Sequence, residues 1–359
     1  MRMTCHRRLL SLCLLALVPM SSIADPGVST LEAARSEWST YRFPLFEGES
    51  AALERINIYL HAFELDGLPG HFKQSPFERI WPKEEAGHGV VSLDYEIHAH
   101  TPGFLSLDII GEYYGAYLSM GRNSYAFALA DGSPLSLFDL FSESGLQRLR
   151  ERVSQARIER IENFLARIPA NSATDEEAES AAIQRGIYEH CLPRHLDSNL
   201  AHDRLVLKQA QLTLIAERCS AHAVRALDDL DEFSNSFAYT DLAEDLSSYG
   251  RCLLLEQRGD CRQLAKPQVG GVYRGVIESR HRITLAITPP SVEGAARAAY
   301  FRNEDDGPIE LAVRHDANRT LLREQRDVPA LFELRLGRDG QLSGSWQKDG
   351  GPPLPVNLR

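Results

Sequence analysis

The chain has 359 residues, 43% of them hydrophobic and 25% charged, with 18 Pro, 25 Gly and six Cys. That length leaves room for two domains with cores of their own, and the composition excludes a collagen, a coiled coil, a disordered tail and a multi-span membrane protein. A formal charge of -11 repels nucleic-acid phosphate and anionic lipid, which leaves a cationic partner as the favoured kind.

The first residues read as a secretory signal. Arg2, Arg7 and Arg8 precede an apolar run from Leu9 to Val18, and Ser22-Ile23-Ala24 offers small residues for a cut before Asp25. The run falls short of the roughly 20 residues that span a bilayer. Cys13 follows Leu12, where a lipoprotein signal wants a small residue, so no membrane anchor is expected and the periplasm is the expected compartment. Removing residues 1–24 leaves 36 basic against 50 acidic side chains, or -14. It also leaves four cysteines, which in an oxidising compartment imply disulfides with three possible pairings. Cys252 and Cys261 flank a turn-like Gln257-Arg258-Gly259-Asp260 and are the preferred pair; Cys191 with Cys219 follows by elimination.

Beyond the signal, residues 39–47 predict an extended strand around Pro44, and Ser50 an N-cap for a helix carrying Leu53, Ile56, Ile58, Tyr59 and Ala62. After a loop rich in Gly and Pro, strands are predicted over 90–100, 104–117 and 124–129. Pro102-Gly103 and Asp131-Gly132 supply turns, so these strands make an antiparallel meander. Leu146, Leu149, Val153, Ile161, Phe164 and Ile168 keep helical spacing, with Arg148, Arg150, Glu151, Arg152, Arg157, Glu159 and Arg160 as the polar face. A second helix begins near Thr174 with Asp175, Glu176 and Glu177 in its first turn. Strands return at 204–208, 211–215 and 237–239, and a short helix follows over 240–249.

The composition shifts at Ala265-Lys266-Pro267. From Val272 onward, eight short strands are predicted at 272–278, 282–288, 296–302, 309–314, 320–325, 330–336, 341–346 and 355–358. The expected fold class is α+β, an antiparallel sheet with helices on one face over 25–266, followed by a small all-β barrel or sandwich over 267–359.

Candidate chemistry is sparse. Asp305-Asp306-Gly307-Pro308 matches a polysaccharide-deacetylase motif, but no two histidines stand four apart to complete the metal set, and a turn explains the same residues. His98 and His100 alternate on a strand and lack a third ligand. His190, Cys191, His195 and His202 could read as a zinc site, although export directs Cys191 to a disulfide. Asp94, Glu96, Asp108 and Glu112 fall on adjacent strands, where paired carboxylates could act on glycans. There is no Gly-x-Ser-x-Gly elbow and no phosphate-binding glycine loop, so neither metal nor cofactor is expected. The run Asp228-Asp229-Leu230-Asp231-Glu232 stands out as a patch for a basic partner.

Residues 41–250 resemble a family of exported bacterial domains typified by the ectodomain of the anti-sigma factor RsiV and by accessory domains of peptidoglycan deacetylases. The resemblance is carried by Tyr41-Arg42-Phe43-Pro44-Leu45-Phe46-Glu47-Gly48, by Glu112-Tyr113-Tyr114-Gly115-Ala116-Tyr117, and by Tyr125-Ala126-Phe127-Ala128-Leu129-Ala130-Asp131-Gly132 with Leu135-Ser136-Leu137-Phe138-Asp139-Leu140-Phe141. Phe237-Ala238-Tyr239-Thr240-Asp241-Leu242 is similar to the family's closing strand and helix start. Where the family commonly carries His-Pro after the central strand, this chain has Tyr117-Leu118. The C-terminal strands resemble, more weakly, periplasmic lysozyme inhibitors and interbacterial immunity proteins. Together these resemblances imply a non-catalytic periplasmic protein that binds and inhibits a cationic lysozyme-like muramidase or another cell-wall hydrolase. Asp228, Asp229, Asp231 and Glu232 are the expected contact residues. The alternatives are an envelope sensor that binds peptidoglycan and a carboxylate-based glycan-acting enzyme.

Overall fold

The computed structural model describes residues 27–83, 88–115, 117–169, 174–196, 200, 202–263, 269–289, 296–302, 307–316 and 319–359. The expected signal over 1–24 and its cut before Asp25, the domain boundary near 267 and the acidic turn Glu304-Asp305-Asp306 lie outside the described residues.

The first unit is a five-stranded sheet in the order β1-β2-β3-β4-β5, with β1 at Val28–Ser36, β2 at Ser39–Phe46, β3 at Gly89–His100, β4 at Phe104–Tyr114 and β5 at Ser119–Ala128. The expected meander is β3 to β5. Strand β1, unforeseen from sequence, pairs antiparallel with β2; it is an edge strand with mostly exposed side chains, so it lacks the apolar alternation that would announce it. Between β2 and β3 the chain crosses over through helix α1 (Ala51–Glu64), and these two strands therefore run parallel, paired at Tyr41 and Leu93.

Ser50 caps α1, accepting a hydrogen bond from the Ala52 amide at 3.2 Å. The Asn57 side chain accepts from the Phe46 amide at 3.0 Å and donates to its carbonyl at 2.8 Å, locking the helix to the end of β2. From Ala52 to Glu64 nearly every side chain is buried, the signature of a helix covered on more than one side. Ile56, Tyr59 and Phe63 join a core with Leu105, Leu107, Ile109 and Phe127 of the sheet, and the same core takes in Val272, Ala286 and Phe301 from the C-terminal strands. Burying a side chain such as Phe301 stabilises by about 2–3 kcal/mol. Gly132, at φ +73, turns the chain after β5 so close to α1 that a Cβ there would meet the Ala52 carbonyl oxygen at 2.3 Å; this explains the Asp-Gly turn.

Helices α2 (Leu137–Leu140), α3 (Glu143–Leu165) and α4 (Asp175–Leu196) lead to a three-stranded antiparallel sheet of β6 (Arg204–Leu207), β7 (Gln211–Ala216) and β8 (Phe233–Ala238). The buried stripe of α3 is Leu146, Leu149, Val153, Arg157 and Ile161. Arg157 thus leaves the polar face assigned to it from sequence. It is 1% exposed, and Asp203 (3.2 and 2.5 Å), Asn235 (2.8 Å) and the Phe233 carbonyl receive its donors, which is how a buried guanidinium is tolerated. On α4 the buried stripe is Tyr188, Cys191 and His195, and Cys191 is disulfide-bonded to Cys219 beyond β7. The second bridge joins Cys252 and Cys261. Both expected pairings are present, and by loop-closure entropy each stabilises by about 2–4 kcal/mol. The helix expected over 240–249 is instead a 3-10 turn at Tyr239–Leu242 followed by a separate turn, α5 (Ser248–Gly250), capped by Ser247 at 2.9 Å and continuing as a wide turn over Arg251–Leu255.

All eight C-terminal strands form: β9 (Gly271–Ile277), β10 (His281–Ile287), β11 (Arg297–Phe301), β12 (Ile309–Asp316), β13 (Arg319–Glu324), β14 (Ala330–Leu336), β15 (Leu342–Lys348) and β16 (Leu354–Leu358). They close into an antiparallel barrel through the β16–β9 seam. At that seam Gly275 lets the strands approach; a Cβ there would lie 1.9 Å from the Asn357 carbonyl oxygen. Ile283, Leu285, Leu311, Leu322, Phe332, Leu334, Leu342 and Val356 fill a core of the barrel's own. Strand β10 is buried on both faces from Ile283 to Ile287, because Ala286 points outward onto the core around α1.

Candidate protein-interaction surface

The four acids expected to meet a partner lie on the connection from β7 to β8, which runs from Cys219 through a 3-10 turn at His222–Leu227. They do not behave alike. Asp228 is buried and accepts hydrogen bonds from the Tyr188 hydroxyl (2.7 Å) and from the Ser220 and Asp231 amides (3.0 and 3.2 Å). Burial alone would raise its carboxyl pKa, but these hydrogen bonds outweigh burial and hold it below the ordinary carboxylate value. Asp228 therefore organises the loop instead of offering its charge outward, a correction to the sequence reading. Asp229, Asp231 and Glu232 are exposed and tethered: Asp229 to Gln184 at 3.0 Å, Asp231 to Arg218, and Glu232 to Arg204 at 2.8 Å.

Beside this loop stands a group of residues that sequence reasoning missed. Gly89 at the start of β3 pairs with Tyr114 at the end of β4, and Ser39 at the start of β2 hydrogen-bonds the Val91 carbonyl at 2.7 Å. The β1–β2 and β4–β5 hairpin tips thus share one end of the sheet. That end carries Trp38, 80% exposed, with Tyr114, Tyr117, Leu118 and Met120, all exposed. Tyr117 in turn stacks on His222 of the 3-10 turn, which joins the apolar end to the acidic segment. A cluster of this kind, aromatic and bordered by charge, has the anatomy of a protein interface. Its only trace in the sequence is the density of Tyr, Leu and Met between 113 and 120.

The remaining sequence candidates are accounted for by packing and pairing. Asp94 accepts from Arg42 at 3.0 Å, and Glu112 from Ser92 at 3.4 Å. Asp108 is buried under Arg122 (2.8 Å) and His98 (3.1 Å), and Arg122 also reaches Glu96 at 3.2 Å. Burial pushes the Asp108 carboxyl up, while Ser124, Arg122 and His98 together bring it below the usual value. Glu96, His98 and Asp108 present ligand atoms within 4.8 Å of one another, but the Arg122 guanidinium already supplies the positive charge a metal would bring. A β-bulge at Ile97–Ala99 interrupts the alternation that would put His98 and His100 on one face. In the Cys191, His195, Cys219 group both sulfurs are spent in the disulfide, and burial drives His195 down to about 4.

A buried carboxyl outside these candidates is Glu64 at the end of α1. It accepts from Tyr125 and from Asn123 (2.9 Å), and burial pushes it up to about 7. No helix among the described residues is long and apolar enough to cross a membrane.

No family model and no curated protein matches the chain. Among solved structures it is similar to a member of the DUF3298 family from Bacteroides fragilis, at 11% identity and a TM-score of 0.40, over 65% of this chain and 99% of that one. The RsiV-type resemblance of residues 41–250 therefore rests on the sequence motifs themselves.

Proposed function

We propose that this chain is an exported, periplasmic protein of RsiV type that binds a cationic lysozyme-like peptidoglycan hydrolase and blocks it sterically, as an inhibitor or immunity protein. The observation that carries the reading is the juxtaposition of exposed Trp38, Tyr114, Tyr117, Leu118 and Met120 with the acids Asp229, Asp231 and Glu232. Aromatic anchors would fill pockets beside the hydrolase cleft, and the acids would meet its basic rim, speeding encounter in a chain of net charge -11. Two disulfides suit an oxidising compartment. The test is binding and inhibition of a purified cationic lysozyme on suspended peptidoglycan. Saturable inhibition that weakens as salt is raised is expected, and full lytic activity in excess protein at low salt would overturn the reading.

A further inference from the structure

A cavity of about 320 Å³ opens where β5, the start of α3, β6 and the barrel meet. One wall is apolar, built by Leu135, Leu137, Phe138 and Leu205. Another carries three guanidinium groups, from Arg122, Arg150 and Arg204. The acids that neutralise two of them, Asp108, Glu96 and Glu232, do not line the cavity. Asp203 does, but its carboxylate is taken by buried Arg157. Arg150 is different: it lines the cavity, and among the described residues no acid pairs with it. That guanidinium, beside an apolar wall and without an acid of its own, offers an anion a charge-assisted pair.

The strand beside it narrows the class of anion. Strand β5 is an edge of its sheet. The Ala126 carbonyl accepts from Leu135 at 2.8 Å and the Ala128 amide donates to the Ser133 carbonyl at 2.9 Å, so both residues turn their backbone groups away from β4. By strand alternation Ser124 and Arg122 do the same, beside the cavity, and no further strand among the described residues pairs with them. Backbone donors and acceptors that no strand of the described residues pairs, next to an arginine cluster and an apolar wall, are the elements that capture a peptide's carboxyl end.

We propose that this cavity binds the carboxyl terminus of an extended peptide, with the carboxylate on Arg150 and Arg204, the last apolar side chain against Leu137 and Phe138, and the peptide backbone along β5. The site is independent of the hydrolase-binding reading. The test uses the full protein with N-acetyl-Leu-Leu and N-acetyl-D-Ala-D-Ala, each compared with its C-terminal amide by calorimetry. The first acid stands for a protein tail and the second for a wall peptide. Millimolar or tighter 1:1 binding of either acid is expected, reduced at least about tenfold by amidation and by Arg150→Gln, with Arg150→Lys retaining part of it. Equal binding of acid and amide, or no saturable binding of either acid, would overturn the proposal. Both comparisons use the unmodified protein and need no variant to fold.

Discussion

Tyr117 lies flat on His222, their ring centroids 3.9 Å apart and their planes within 12°. This contact couples the tip of the β4–β5 hairpin to the turn that leads into the acidic loop. A double-mutant cycle of Tyr117→Ala and His222→Ala, read by urea unfolding, is expected to give a coupling of about 0.5–1.5 kcal/mol. Strict additivity would mean that the two rings do not interact.

Trp38 and Met120 contribute little to the fold because most of their surface is in water. Trp38→Ala and Met120→Ala should leave stability within about 0.5 kcal/mol of the parent. The same changes should weaken binding to a cationic lysozyme, Trp38→Ala by tenfold or more, the loss typical of an interface anchor. Asp231→Lys should lower the association rate at low salt and little at high salt. Titration of the purified variants against the hydrolase checks all three.

Arg157 is the residue on which α3 and β8 depend together. Arg157→Ala would strand the Asp203 carboxylate and should cost about 3–5 kcal/mol. Arg157→Lys should also destabilise, because one ammonium cannot reproduce the fork that meets Asp203, Asn235 and the Phe233 carbonyl. Urea midpoints measure this, and a loss under about 1 kcal/mol would show that the pair is not formed.

Glu64 sets a pH dependence. Its folded pKa of about 7 lies above that of an unfolded glutamate, so the folded state holds the proton more tightly. The resulting stabilisation is complete below about pH 4.3 and is lost as pH rises toward 7. Its surroundings are Tyr125, Asn123, Arg297 and Asp66. Buried His61, pushed down to about 4, acts oppositely: folding excludes its proton, so its contribution rises with pH between about 4 and 6.5. The stability difference between the parent and Glu64→Gln should therefore change across about pH 4.3–7 and stay flat on either side. A difference independent of pH would place the Glu64 pKa at its ordinary value.

The barrel was the most legible part of the sequence. Its strands alternate inward and outward, as in Ala330, Phe332 and Leu334, and Gly or Asp marks most of the turns. Both disulfide pairings are legible in the sequence because the signal expected over residues 1–24, once set aside, leaves only four cysteines. What stayed hidden depends on long-range partners. Arg157 reads as a surface charge until Asp203 and Asn235, 46 and 78 residues away in the chain, are folded onto it. Strand β1 carries only a weak pattern, because Leu31 and Ala33 pack partly buried on the core while most of its other side chains are exposed. In the sequence the candidate surface is four equivalent acids, yet Tyr188 and Ser220 draw Asp228 inward. The aromatic residues beside them come together only through the register of β2, β3 and β4.

The change of composition near residue 267 looks in the sequence like a place to divide the protein. The burial of α1 argues otherwise, since Val272, Ala286 and Phe301 share a core with Ile56 and Tyr59. Cutting the chain there would leave an apolar flank of that helix facing water, and the separated N-terminal half would be prone to self-association. The helix acts as a keystone: the two halves can diverge in their loops, but the surfaces they present to α1 must change together.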